Sequence, residues 1–222
     1  MENKQVMREL KVWDPLVRIF HWTLVLAFAT SYLTGDEWDD WGNVHEISGY
    51  IILGLIVFRV IWGLVGSKYA RFSDFVYSPK IVIDYLKSLF MTHPKHYLGH
   101  NPAGGWMVII LLVSLLATGI TGLKVLAVEE GKGPLAQVNM QIPSLISVAE
   151  ARRNPSEVMD GAEDEQGEDH FYKELHEFFG NFTLFLVMVH ILGVIVSSRL
   201  HKENLARAMV TGKKSIHNDT DG

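Results

Sequence analysis

The sequence predicts an all-α integral membrane four-helix bundle, up-down-up-down, with a short cytoplasmic interfacial helix and a long outward loop between helices 3 and 4. Three observations predict it: four apolar runs of membrane length, tryptophans near the ends of those runs, and segregation of basic from acidic residues between the two sets of connections. A bilayer core of roughly 30 Å takes roughly 20 predominantly apolar helical residues to cross. The competing fold is a soluble bundle of unusually buried helices, and the coincidence of four such runs weighs against it.

The first span covers residues 15–34, where Asp14 suits the N-cap, Pro15 the first helical position and Gly35 the C-terminal stop. The second covers 44–65, and the third, 105–128, is the least interrupted. The fourth covers 174–198 and begins up to a turn earlier, near Phe171. Trp13, Trp22, Trp38, Trp41, Trp62 and Trp106 fall near span ends, as amphipathic rings do at headgroup level. In the 66–104 connection, Ser78-Pro79 starts a helix over Lys80 to Phe90. Its Ile81, Tyr85, Leu86 and Leu89 share a face, with Asp84, Lys87 and Ser88 opposed. Residues 129–170 form the outward loop, ending in the acidic stretch Asp160 to Asp169, which serves either solvation or docking of a positively charged partner. The whole chain, 1–222, reads as one transmembrane domain.

Fifteen of the twenty Lys and Arg lie in the N-terminal tail, the 66–104 connection, the C-terminal tail and the span ends beside them, whereas seventeen of the twenty-five carboxylates lie on the opposite side. The positive-inside rule then puts both termini in the cytoplasm. No cleavable signal is expected, because the first apolar run is full length and carries a histidine. The absence of cysteine rules out disulfides, thiolate-held zinc or iron–sulfur clusters, covalently attached c-type haem and a cysteine nucleophile. A net charge of -5 argues against nucleic-acid binding. Any metal is left to histidine, carboxylate or methionine.

Ionisable residues inside a membrane are costly and point to function. His21, His45, His176 and His190 lie in or at the ends of spans, and their depths pair. His45 and His176 share the outer side, His21 and His190 the inner. His176 and His190 are fourteen residues apart, roughly 21 Å of rise with an offset of about 40°, so one helix face presents both. Two imidazoles facing each other at matched depth suit a six-coordinate haem iron. Gly49, Gly180 and Gly193 lie a turn from the histidines of their own helices and would let a flat ring approach the backbone, while Arg18 and Arg59 at the inner ends suit haem propionates. On the residues alone a second reading stands beside this one: histidines on apolar faces also serve as hydrogen-bonded packing groups, and glycines serve close helix contact. His93, His96 and His100, broken by Pro94 and Gly99, match no firm metal-binding spacing. His170 is nearly opposite His176 on a helix, and His201 and His217 lie in the tail.

Val12-Trp13-Asp14-Pro15 with Arg18, His21 and Trp22, then His45 with Gly49-Tyr50, Arg59 to Phe72, Leu98 to Gly105, His176 and His190 together resemble the bacterial cytochrome b561 family, in the branch with the B-type cytochrome subunits of nickel-iron hydrogenases. The similarity covers roughly residues 8 to 205. The resemblance implies two haem b groups in the bacterial cytoplasmic (inner) membrane, held by His45 and His176 on the outer side and His21 and His190 on the inner. It also implies electron exchange between membrane quinone and a periplasmic redox protein such as a c-type cytochrome or hydrogenase, or a stand-alone quinone oxidoreductase role. His100 and Asn101, on the cytoplasmic side, are one candidate quinone site, and the outer end near Trp38 and Trp41 is another. A proton-coupled transporter would also use intramembrane histidines, but it usually needs intramembrane carboxylates or broken helices, and neither is obvious here. A plain membrane anchor needs no such histidines.

Overall fold

The computed structural model describes residues 8–35, 41–89, 97, 99–136 and 161–216. Within them seven α-helices and one short ribbon form. Strand β1 (Arg8–Lys11) precedes α1 (Pro15–Leu33) and α2 (Gly42–Val65), followed by the single turn α3 (Phe72–Phe75) and α4 (Pro79–Ser88). Then come α5 (Pro102–Glu130), α6 (Gly161–Leu200), α7 (Leu205–Thr211) and strand β2 (Lys213–Ile216). Four of these helices, α1, α2, α5 and α6, are long and apolar enough to cross a membrane. The chain is a multi-pass membrane protein built as an all-helical bundle.

Helix starts follow local chemistry. Asp14 Oδ1 accepts from the Val17 N–H at 2.8 Å with Pro15 behind it, and Asn101 Oδ1 accepts from Gly104 N–H at 2.7 Å with Pro102 behind it. Gly131, at φ 62°, closes α5 in the left-handed conformation. Gly35 does not act this way. The α1 cap is Thr34, whose N–H reaches Thr30 O, and the space beside Gly35 is taken by the His45 ring, 3.3 Å from where a Cβ would lie.

Helix α6 is much longer than the predicted span. It starts at Gly161, so the last part of the expected acidic loop is helix. The reason is visible in Ala162, Glu163, Glu165 and Gln166: good helix formers, with acidic groups that favour a helix N-terminus and a span downstream to propagate from. The outward connection shortens to residues 131–160, of which 137–160 lie outside the described residues, as do His93, His96, Trp38 and His217.

Antiparallel pairs α1/α2, α2/α5 and α5/α6 line up successively, and Tyr32 on α1 donates to Asn181 Oδ1 on α6 at 2.9 Å, closing the ring. The apolar core joins α1, α2 and α5 through Phe20, Ala27, Ile52, Ile56, Leu112 and Leu115. Between α5 and α6 the contact is polar. Thr183 is fully buried and lies 2.7 Å from Ser114 Oγ and 3.2 Å from Thr118 Oγ1, the kind of hydroxyl pairing that joins helices where apolar side chains gain nothing over lipid.

The ends of the chain meet. β1 and β2 pair antiparallel, Arg8 opposite Ile216 and Lys11 opposite Lys213, a ribbon that no hydrophobic pattern announced. Below it Val12 and Trp13 pack on Ala208. Trp13 is therefore an internal wedge and not a headgroup anchor. Trp62 and Trp106 are also committed inside, donating to Asp14 Oδ2 at 3.0 Å and to Tyr77 O at 2.8 Å, whereas Trp22 and Trp41 remain exposed as expected of belt residues. In α4, Ser88 belongs to the packed side with Tyr85, while Ile81, Ile83 and Leu86 are exposed; the apolar stripe faces away from the bundle.

Candidate haem-binding site

At the end of the bundle away from the two chain termini, called outer below and the opposite end inner, His45 of α2 and His176 of α6 face each other edge to face, ring centroids 5.9 Å apart. Each ring is oriented by its own Nδ1. His45 Nδ1 lies 2.9 Å from Ser31 O on α1, and His176 Nδ1 lies 3.0 Å from Thr118 O on α5, with Thr121 Oγ1 at 3.3 Å. A backbone carbonyl can only accept, so Nδ1 carries the hydrogen in both rings and Nε2 keeps its lone pair. That tautomer is the one a metal-ligating imidazole requires, fixed by a backbone partner in the usual outer-shell manner.

Close approach of α5 makes this possible. A Cβ on Gly122 would lie 2.8 Å from His176 Cε1, and one on Gly119 would lie 2.4 Å from Leu53 Cδ2. Thr118, Gly119, Thr121 and Gly122 are the residues that sequence reasoning passed over; the signal was present as a small, polar T-G-I-T-G run in the least interrupted span. Gly49 and Gly180, by contrast, would meet nothing within 4 Å, nor would Gly193, so space lies open beside the backbone at each.

At the inner end His21 and His190 are half-buried, and His21 packs edge-on against Trp22. Four sealed polar atoms without a hydrogen-bond partner occur among the described residues: Arg18 Nε, His21 Nδ1, Arg59 Nη1 and His100 Nδ1. All belong to the inner end. Buried orphans of this kind are rare in folded proteins, and a water, an ion or the polar group of a ligand would satisfy them. Arg59 is 2% exposed, its guanidinium 4.9 Å from the Phe72 ring centre and 5.7 Å from that of Phe75. Arg18 is partly engaged, donating from Nη1 to Val210 O at the end of α7.

His100 and Asn101 have structural partners. His100 is wedged between Trp13 and Phe75, with centroids 4.6 and 4.5 Å away. Burial, then the nearby Arg59 and Lys214 cations and His190, push its pKa down to about 3, so the ring is neutral at physiological pH. Asn101 caps α5 and donates to Ser197 Oγ at 3.4 Å. His170 stands apart on the exposed side, 3.4 Å from Glu174.

The donor chemistry fits haem. Among the described residues no three His, Asp or Glu converge as they would around a metal held by protein alone. His45 and His176 face each other with Nε2 left as the acceptor nitrogen on the outer side, unpartnered guanidinium nitrogens lie on the inner side, and open space lies beside three neighbouring glycines. Bis-imidazole ligation of a flat, propionate-bearing ring uses all three.

Comparison with known proteins points the same way. A model of the prokaryotic cytochrome b561 family matches residues 12–212. A curated protein of Rhizobium leguminosarum bv. viciae, described as a probable Ni/Fe-hydrogenase B-type cytochrome subunit, is 26% identical over 136 residues, half of this chain and 57% of that protein. The chain thus spans somewhat more than half the length of that relative. No solved structure matches.

Proposed function

The chain belongs to the prokaryotic cytochrome b561 family, a membrane haem protein with an electron-transfer role, and from that premise we propose that it is a two-haem conduit. His45 and His176 ligate the outer haem b, His21 and His190 the inner. The observation that carries this reading is the pair of Nδ1 contacts to Ser31 O and Thr118 O, which orient the outer imidazoles from two different helices and leave both Nε2 lone pairs free. When bound, haem b supplies reversible one-electron exchange. A haem held by two of these imidazoles would offer oxygen or substrate no open coordination site, which would favour electron transfer over catalysis.

The protein's own part is placement. α6 carries His176 and His190 fourteen residues apart, roughly 21 Å of rise, and so would hold one haem near each side of the low-dielectric slab. Thr183, seven residues from either histidine, locks α6 to α5 at the midpoint through Ser114 and Thr118, fixing the register on which both sites depend. Arg18 and Arg59 neutralise propionates at the inner end, and Gly49, Gly180 and Gly193 give the rings room. We assign the electron donors and acceptors by chemistry: membrane quinone on one side, and at the periplasmic face a redox protein such as a c-type cytochrome or, following the relative's description, a hydrogenase. The excess of Lys and Arg around the termini supports an inner-membrane orientation with both ends cytoplasmic. His100 and Asn101 are kept as the candidate quinone site of this reading, one that opens only where the Trp13 and Phe75 rings enclosing His100 move aside.

The test is spectroscopic. Purified protein should be red, with a reduced-minus-oxidised b-type spectrum and two haems per chain. His190→Ala should remove one haem and leave the other largely intact. Colourless protein of full helicity would sink the proposal.

A further inference from the structure

The connection from α2 to α5 is fastened to the first turn of a membrane-length helix. Trp106 Nε1 donates to Tyr77 O at 2.8 Å, Gly105 leaves no room for a Cβ beside Phe75 O, and Tyr85 and Ser88 are buried where α4 packs on α5. α4 therefore lies at the mouth of the α5 span, the level at which headgroups meet hydrocarbon.

Its other side is uncovered. At about 100° per residue, Ile83 and Leu86 point about 160° away from Tyr85 and Ser88, and they are 51% and 44% exposed. Lys80 and Lys87, seven residues apart and hence within about 20° of one another, border that apolar arc, and both are exposed. Asp84 lies about 50° beyond them toward the packed side. Residues 66–89 together carry Lys68, Arg71, Lys80 and Lys87, all exposed, against Asp74 and Asp84. The periodicity alone grouped Tyr85 with Leu86; packing separates them and gives the free face to Ile83 and Leu86.

An apolar arc edged by lysines at the end of a span matches the surface of a bilayer that bears negative headgroups. We propose that α4 binds anionic phospholipid, with Ile83 and Leu86 entering the acyl boundary and Lys80 and Lys87 pairing with headgroup phosphates. This inference goes beyond the two-haem reading and stands independently of it.

The chain has no cysteine, so Ile83→Cys accepts a single fluorophore without further change. The labelled full-length protein is reconstituted in phosphatidylcholine vesicles holding a small fraction of lipid brominated in the acyl chain, either phosphatidylglycerol or phosphatidylcholine. Both should quench the label, the phosphatidylglycerol with an apparent association at least about fivefold stronger at low salt, the factor that one lysine near an anionic surface contributes. That preference should fall toward unity in Lys80→Gln/Lys87→Gln protein, with helicity unchanged by circular dichroism. A label at Ser73→Cys, an exposed position outside α4, should be quenched by neither. Leu86→Cys carries the test if the Ile83 variant fails to fold. Equal quenching by the two lipids in the parent, or a preference unmoved by the double substitution, overturns the proposal. Absence of quenching by either also overturns it, because water, a second copy or another protein then covers this face.

Discussion

Replacing Gly122 by alanine is the sharpest probe of the outer site. The added Cβ would lie 2.8 Å from His176 Cε1 and 3.2 Å from its Nδ1, where ordinary contact begins at 3.4 Å. The ring must therefore retreat by about 0.6 Å from α5. It is not a free side-chain end that can swing aside cheaply, because Nδ1 is held by Thr118 O at 3.0 Å. A retreat of that size stretches the contact to about 3.6 Å, where it no longer counts as a hydrogen bond. Losing that bond costs about 1 kcal/mol, and residual crowding in a close-packed interface about 1–3 kcal/mol more. Together they weaken haem binding at the outer site by about 2–4 kcal/mol, on the order of 30- to 1,000-fold. Helix propensity works in the opposite direction, since alanine is favoured over glycine by about 1 kcal/mol, so helicity should not fall. The assay is the rate at which a haem-scavenging globin strips each haem from the detergent-solubilised protein, followed optically, with Gly42→Ala as the control because a Cβ there meets nothing. The Gly122→Ala protein should lose one haem much faster than the control. Equal stripping rates, with an unchanged low-spin electron paramagnetic resonance signal, would refute the reasoning.

Two further predictions concern the inner end. Asp14 is partly buried, which by itself would raise its pKa, but hydrogen bonds from Ser67, Val17 and Trp62 outweigh that and hold the carboxyl below its usual value. Its stabilising contribution is therefore full above the unfolded pKa and lost as pH falls through the lower folded one; Asp14→Ala should cost about 1–2 kcal/mol, seen as a lower melting temperature at pH 7 that converges with the parent at strongly acid pH. His100, held at about 3 against an ordinary 6.5, stays neutral in the fold while the unfolded chain takes up a proton. Stability should decline as pH drops from about 6.5 toward 3, and His100→Phe should flatten that decline in thermal melts; an identical pH slope would argue against a buried neutral imidazole.

Much of the architecture was legible because each span solves a local problem. A bilayer-crossing helix must satisfy its own backbone and be apolar over a fixed length, so Asp14-Pro15 and Asn101-Pro102 mark starts and the apolar runs mark spans without help from the rest of the chain. The four histidines were legible for a related reason: an imidazole in an apolar run is conspicuous, and helical rise alone assigns its depth. The second tier was not. Ser31, Thr118 and Gly122 serve His45 and His176 through a backbone carbonyl or a missing side chain, and such contributions carry no chemical label in a sequence. Lys124, counted among the outer-side cations, is buried with its ammonium 5.8 Å from the Tyr172 ring centre, a contact that its place in the sequence did not announce. The ribbon pairing Arg8–Lys11 with Lys213–Ile216 joins opposite ends of the chain, and four-residue strands lack a pattern that could betray them.

By itself, then, the sequence determined a four-span helical membrane protein with histidines paired by depth, because span length, apolarity and helical rise are one-dimensional quantities. Only the tertiary structure decided which atoms face one another. His176 is held in a metal-ready tautomer because α5 comes within a glycine's width of α6, and Arg59, Arg18 and His100 keep unpartnered nitrogens at the inner end because helices distant in sequence converge there. Such convergence depends on packing between elements and cannot be computed from periodicity within any one of them.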